Sequence, residues 1–316
     1  MKFLLLQTTP DRLGNAEIFR LRTFLCSIHS EEMCSESPTR VQSHAYNVSY
    51  LRYAAPTGCE APGVRRQRKK KGHTMSPIPA NDLKLFEIVG GPAPETIDDV
   101  MQRMESIDKL LPNDDGLKWF NRLYQFVTNE VKLHHSTDAW KDAPWLMRLD
   151  VLFARLYFTA ITESIGQSSA TPKSWQALFE SRHQKGIDRI QFALAGMNAH
   201  INRDLALALM QVDEEFHRSP GRSSPEHADY ERVNGLLEEV MPRALEFLAT
   251  GILGLVAEST GKIGQLLAIW NVRAARDLAW DFSDHLQHLP GFSRSFALSM
   301  QDKVTGALGR SLLRVI

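Results

Sequence analysis

Apolar residues recur at helical spacing along most of the chain, and this pattern predicts an all-α protein. In the segment PETIDDVMQRMESIDKLL, Thr96 is placed to cap a helix, acidic residues fill the first turn, and apolar residues follow three and four positions apart. Alternating strands joined by glycine-rich hairpin turns are not evident. We expect Pro242 to kink or break the fifth of the predicted helices. The pattern predicts helices over 94–111, 117–133, 144–164, 187–216, 223–258 and 262–286, and a last amphipathic stretch that runs to Ile316.

The first 74 residues lack this periodicity and form a separate part of the chain. They end in the basic run RRQRKKK, hold 12 basic and 6 acidic residues, and contain the 3 cysteines, Cys26, Cys34 and Cys59. One interpretation is a basic tail that directs the protein to the nucleus or binds nucleic acid. We favour a disordered or misassigned leader with the natural start at Met75, because helical order begins abruptly after that methionine. The sequence therefore predicts a leader over 1–74 and a single multi-helix bundle over 75–316.

The composition limits which binding partners and which cellular compartment we expect. The 37 basic and 37 acidic residues cancel, and the segment 75–316 has 31 acidic against 25 basic residues, so we predict no nucleic-acid partner. The longest neutral run, FLATGILGLVA, is much shorter than the roughly 20 residues that span a bilayer, and the first residues lack the apolar run of a secretory signal. A domain without cysteines suits a reducing compartment. We expect a soluble, cytoplasmic protein, and its oligomeric state stays open.

The candidate chemistry consists of polar residues on otherwise apolar helix faces. At about 100° per residue, His200 and Asp204 share one shoulder of the apolar stripe of helix 187–216. Asp150 lies between apolar residues on helix 144–164, and Arg273 lines up with the tryptophans of helix 262–286, with Arg276 beside it. Buried charges of this kind cluster at functional centres, so we expect the charges of the three helices to meet. The predicted catalytic residues are His200, Asp204 and Asp150, and the predicted substrate contacts are Arg273, Arg276, Asn198 and Tyr230.

A structural role is the alternative for each of these residues. The His200–Asp204 pair would then be a satisfied interaction of the core, and Arg273 would pair with Asp277, its neighbour one turn later. The tryptophans and phenylalanines around them are typical of a core.

Several motifs resemble one uncharacterised family of bacterial and fungal proteins, catalogued as a domain of unknown function. They are FNRLYQFVT, LDVLFARLYF, QFALAGMNAHINRDLALAL and HADYERVN, in this order along the chain. The resemblance covers most of 95–290 and implies no established activity.

A second resemblance concerns the spacing of candidate metal ligands. The pairs His200/Asp204 and His227/Glu231 are similar to the HxxxD and HxxxE pairs of all-α zinc phospholipases C and related single-strand nucleases. The resemblance implies zinc or another divalent metal held by these four residues, with a water activated for attack on a phosphoester. The intermediate histidine, the tryptophan ligand and the upstream ligands of that pattern are missing here. The site also requires helix 187–216 to break near 205–210, because twelve further helical residues would carry the chain roughly 18 Å away from Asp204.

We predict a small-molecule enzyme with a His/Asp/Arg centre inside a helical bundle. His200 would act as general acid or base, and an arginine would hold an anionic group. The apolar lining favours a hydrophobic or anionic substrate. With a metal the protein would be a hydrolase, and without one an isomerase or cyclase of secondary metabolism. The remaining alternative is a non-catalytic binding or scaffold protein whose buried polar network fixes the helix register.

Overall fold

Capping signals in the sequence set the helix boundaries. The Thr96 hydroxyl accepts a hydrogen bond from the Asp99 amide, and the Asp99 carboxylate accepts one from the Thr96 amide. Ser224 accepts a hydrogen bond from the His227 amide at 3.1 Å and so caps the helix that begins at Pro225. The cap at Thr96 confirms the prediction.

A computed structural model describes residues 78–137, 140–250 and 271–315. Within these ranges every regular element is helical, so the predicted all-α class is confirmed. None of the described helices is both long and apolar enough to cross a membrane. The predicted leader over 1–74 lies outside the described residues, as do 251–270, which belong to two of the predicted helices. The elements are α1 (Ala80–Val89), α2 (Ile97–Leu110), α3 (Gly116–Thr137), α4 (Ala143–Ile165), α5 (Lys173–Ser181), α6 (Arg189–Ala199), a π-turn (His200–Asp204), α7 (Leu205–Phe216), α8 (Pro225–Thr250), α9 (Val272–His288) and α10 (Gly291–Leu312).

Helix α6 is the centre of the bundle. Every residue from Ile190 to Ala199 is buried, because α3, α5, α8 and α10 pack around the helix. Gly196 lets α3 come close, since a Cβ at this position would lie 2.3 Å from the Phe120 ring. A helix that is buried on all sides presents its polar side chains only to the protein interior. The few polar residues of this helix therefore need partners within the bundle.

Helix α6 continues into α7 through the π-turn. The Leu205 amide donates to the His200 carbonyl five residues earlier, so this turn holds one residue more than an α-helical turn. The helix then runs to Phe216 without a break. Such π-turns recur at functional sites, and this one carries two of the three predicted catalytic residues.

The helices differ from the prediction at Pro242, at the start of α9 and in two short helices that the sequence pattern missed. Helix α8 does not end at Pro242 but continues to Thr250. Helix α9 begins only at Val272, because the Asn271 side chain caps it through the Ala274 amide at 2.9 Å. The sequence pattern missed α1 and α5, which have 10 and 9 residues and too few apolar repeats to stand out.

A buried carboxylate on α7 joins this helix to α4 and α9. Asp213 accepts hydrogen bonds from Trp145 Nε1 at 3.1 Å and from Gln287 Nε2 at 3.0 Å. Burial raises the pKa of Asp213 from 3.8 to about 6, although both hydrogen bonds oppose the shift. The folded protein therefore binds this proton more tightly than the unfolded chain does.

Asp213→Asn should raise the free energy of unfolding at neutral pH and change it little in acid. Between 3.8 and about 6 the folded state binds more protons than the unfolded state, so the stability of the natural protein falls as pH rises through this window. Asparagine does not ionise, and the Gln287 amide can turn its oxygen towards the new amide. We expect a gain of about 1–2 kcal/mol near pH 7.5, with allowance for partial solvation. Urea unfolding near pH 7.5 and near pH 4 measures the gain, and an equal effect at both values would contradict the raised pKa.

Candidate active site

A small cavity lies beside the π-turn, between α3, α4, α6, α8 and α9. Its volume of about 70 Å³ is room for several groups the size of a water molecule. Most of the wall is aliphatic or aromatic, with Phe153 and Met197 among the lining side chains. Among the described residues, the polar ones of the wall are Tyr124, Thr128, Asp150, His200 and Arg276.

His200 has one ring nitrogen occupied and the other unpartnered. Its Nδ1 lies 3.1 Å from Asp204 Oδ2, and because an ionised carboxylate only accepts, Nδ1 carries the proton. Its Nε2 is buried and makes no hydrogen bond within the described part of the chain. The imidazole is stacked on the Phe153 ring, with 3.5 Å between ring centres and 6° between planes. Burial lowers the pKa of His200 below 6.5 although Asp204 acts in the opposite direction, so the imidazole is neutral at neutral pH.

Asp204 orients this imidazole and is itself held by three donors. The side chain is inaccessible to solvent. Its Oδ2 accepts from Trp175 Nε1 at 2.8 Å in addition to His200, and its Oδ1 accepts from Arg203 Nη1 at 2.5 Å. A carboxylate that fixes the Nδ1 proton leaves Nε2 with its lone pair, which is the arrangement of a histidine general base.

Tyr124 also lines this cavity. Its ring lies 4.5 Å from the His200 ring in an edge-to-face contact. Burial raises the pKa of Tyr124 well above 10, and the negative charges of Asp150 and Asp204 add to the shift. The hydroxyl therefore stays protonated and can donate a hydrogen bond to a ligand.

Charged groups from α4 and α9 complete the polar wall. Arg276 is 6% exposed, its Nε donates to Asn234 Oδ1, and its guanidinium lies 4.2 Å from the centre of the Tyr230 ring. Asp150 is half-buried and lines the same cavity. The structure thus brings together one polar residue from each of the three helices that the sequence predicted to carry inward charge.

Arg273 lies elsewhere, contrary to the expectation from its alignment with the tryptophans. It pairs with Glu231 at 2.6 Å and with Glu238 at 2.8 Å near the protein surface. The reason is the register of α9, whose buried face begins at Val272 and continues four residues later with Arg276. The arginine that faces the interior is therefore Arg276, which the sequence pattern placed beside the predicted inward face.

Asn198 and Tyr230, the other predicted substrate contacts, have partners within the protein. The Asn198 side chain donates to the Thr305 carbonyl at 2.8 Å and joins α6 to α10. The Tyr230 hydroxyl donates to the Arg276 carbonyl at 2.7 Å. Neither residue lines the cavity, so Tyr230 acts on the site only through the arginine that it supports.

The four predicted metal ligands form two separate pairs. His227 Nε2 lies 3.8 Å from Glu231 Oε1, and the His227 ring packs edge-on against Trp280, whereas His200 and Asp204 bond each other at the cavity. The helix between the pairs continues to its end instead of breaking near 205–210. Within 78–137, 140–250 and 271–315, no three His, Cys, Asp or Glu side chains lie close enough to hold a metal ion. The donors therefore do not fit the zinc site that their spacing suggested.

The sequence missed Trp175, Tyr124 and Asn234 as parts of the site. Tyr124 was visible only as one member of an apolar helical face, and Asn234 only as a neutral polar residue next to Val233 on a predicted helix. Trp175 belongs to the short helix α5. A tryptophan with a buried indole nitrogen needs an acceptor, and this is the one signal that could have paired Trp175 with a buried carboxylate.

Comparison with known families agrees with the resemblance seen in the motifs. Residues 97–315 match the model of a family of unknown function (DUF5995). The chain belongs to this family. The matched range contains every residue that lines the cavity. No curated protein and no solved structure matches the chain.

Proposed function

We propose that this DUF5995 protein is an acid–base enzyme in which His200 removes a proton from a small, mostly apolar substrate. The observation that carries the proposal is the buried, unpartnered Nε2 of His200 beside the cavity. A buried polar atom without a partner costs about 1–3 kcal/mol, and histidines with a purely structural role normally use both nitrogens. A proton donor on a bound substrate would satisfy this atom.

Three features suit His200 to proton transfer. Asp204 holds the proton on Nδ1 and so keeps Nε2 as the acceptor. The lowered pKa keeps the imidazole unprotonated at neutral pH. The protonated Tyr124 hydroxyl can donate to an oxygen on which negative charge develops. A base, His200, and a hydrogen-bond donor, Tyr124, that line one cavity favour an isomerase or cyclase that proceeds through an enolate.

The experiment is hydrogen exchange from carbon in a small ketone. In heavy water, Nε2 of His200 would take an α-proton from cyclopentanone, and the resulting enolate would regain a deuteron at carbon. We expect the protein to accelerate this exchange, followed by proton NMR, with a rate that rises as pH passes the lowered pKa of His200 and then levels. His200→Asn should lose about 10²-fold or more in rate.

His227→Asn is the matched control, because its ring packs on Trp280 and does not line the cavity. This variant should exchange the ketone as fast as the natural protein. Exchange by the natural protein that is no faster than by His200→Asn would refute the proposal.

A further inference from the structure

The cavity contains a second polar group without a full set of partners, the guanidinium of Arg276. Its Nε is bonded to Asn234, but its two terminal nitrogens make no hydrogen bond or ion pair to any residue that the structure describes. The side chain is 94% buried, with 6% exposed. Arginine does not lose its charge at physiological pH, and a buried charge normally has a carboxylate or several acceptors around it. Within the described residues, no carboxylate forms an ion pair with this guanidinium.

The guanidinium is held in a fixed orientation. The Asn234 side chain holds Nε, and the Tyr230 ring lies against the guanidinium face at 4.2 Å. The Tyr230 hydroxyl also bonds the Arg276 carbonyl at 2.7 Å, which ties the ring to α9. With one face and Nε occupied, the edge that carries the terminal nitrogens is left for a ligand. This edge matches the two oxygens of a carboxylate.

We propose that the cavity binds a small apolar carboxylate, with its carboxylate on Arg276 and its hydrocarbon part against the apolar wall. The inference rests on the proposed function in that both place the ligand in one cavity, but binding does not require His200 to act as a base. The volume of about 70 Å³ restricts the ligand to a compact acid. Asp150 lines the same cavity, so a dianion such as a phosphate ester would meet more repulsion than a carboxylate does.

Tyr124, His200 and Arg276 line the same cavity, so an anion on the arginine would share this space with the base. The Tyr124 ring contacts the His200 ring at 4.5 Å. A carboxylate on Arg276 would leave the hydrocarbon part of the ligand in the cavity that His200 lines.

The experiment compares acids with neutral molecules of the same shape. Isobutyrate and benzoate are titrated into the protein by calorimetry, alongside isobutyramide and benzamide. We expect at least one acid to bind about 10-fold or more tightly than its amide, which corresponds to about 1.4 kcal/mol. Arg276→Gln should abolish this preference. Arg273→Gln should keep it, because this arginine lies three residues earlier on the same helix and pairs with surface glutamates.

The outcomes separate this proposal from the proposed function. His200→Asn should retain the preference for the acid even though ketone exchange is lost. Acids that bind no better than amides to the natural protein would overturn the carboxylate site, whether or not Arg276→Gln folds. A preference that survives in folded Arg276→Gln would overturn it as well. Ketone exchange without a preference for the acid would support the acid–base function and contradict the carboxylate site. A preference for the acid without ketone exchange would support the carboxylate site and contradict the acid–base function.

Discussion

Asp204→Ala should lower the free energy of unfolding by about 3–5 kcal/mol. The substitution removes the acceptor of Trp175 Nε1 and of His200 Nδ1, both of which are buried, and it leaves the positive charge of Arg203 without its nearest carboxylate oxygen. Domains of this kind are stable by only about 5–15 kcal/mol. Urea unfolding followed by tryptophan fluorescence measures the loss, and a loss below about 1 kcal/mol would contradict the role of Asp204 as a shared acceptor.

Asp204→Asn separates the structural role of this residue from its effect on His200. Asparagine keeps the size of the side chain and one acceptor oxygen, which the Arg203 guanidinium holds at the position of Oδ1. The new amide group then lies at the position of Oδ2, where it faces both Trp175 Nε1 and His200 Nδ1, and the imidazole proton must move to Nε2. We expect a stability loss of only about 1–3 kcal/mol but a fall in ketone exchange of about 10²–10⁴-fold. Nitrogen chemical shifts of His200 report the change of tautomer, which a purely structural role would not require.

Asp213→Asn is the matched control for this experiment. Asp213 also accepts a hydrogen bond from a tryptophan indole, that of Trp145, but it does not line the cavity. The same substitution should therefore raise stability near neutral pH and leave exchange unchanged. If both variants lost exchange equally, general loosening of the bundle would explain the effect, and Asp204 would have no special influence on His200.

The sequence was sufficient to predict the all-α class and the inward position of His200, Asp204 and Asp150. These residues stand on strongly periodic helices, where the angle per residue fixes the face of each side chain. The choice between Arg273 and Arg276 depended instead on where α9 begins. The helix begins after the Asn271 cap. The apolar pattern instead placed its start at 262, so apolar residues before Asn271 were counted when the inward face was predicted. That face then contained Arg273 instead of Arg276.

Other parts of the site could not be predicted because they arise from packing between distant segments. The extra residue in the π-turn leaves no mark in the apolar spacing around His200. The indole of Trp175 reaches Asp204 only because α5 packs on α6. Whether Nε2 of His200 has a partner is likewise a property of the assembled bundle, since nothing beside His200 in the sequence determines what lies across the cavity.

Gly196→Ala should lower the free energy of unfolding by about 3 kcal/mol or more, despite the better helix propensity of alanine. The new Cβ would lie 2.3–2.6 Å from three atoms of Phe120, including its Cβ, so the clash cannot be relieved by the far end of a flexible side chain. The Phe120 ring is fixed in turn by edge contacts with Tyr157 at 5.0 Å and Trp175 at 5.2 Å. Helices α3 and α6 would have to separate. Because Phe120 also lines the cavity, ketone exchange and acid binding should both fall.

Gly235→Ala is the control with the opposite expected sign. Gly235 lies within α8, and no atom would come within 4 Å of a Cβ at this position. Alanine there should stabilise the protein by about 0.5–1 kcal/mol, because glycine in a helix loses more backbone entropy on folding. Thermal and urea unfolding of the two variants measure both changes in the free energy of unfolding. If Gly196→Ala were as stable as Gly235→Ala, α3 and α6 could not be packed as closely as the structure has them. The wall of the cavity beside His200 would then be looser than the proposed chemistry requires.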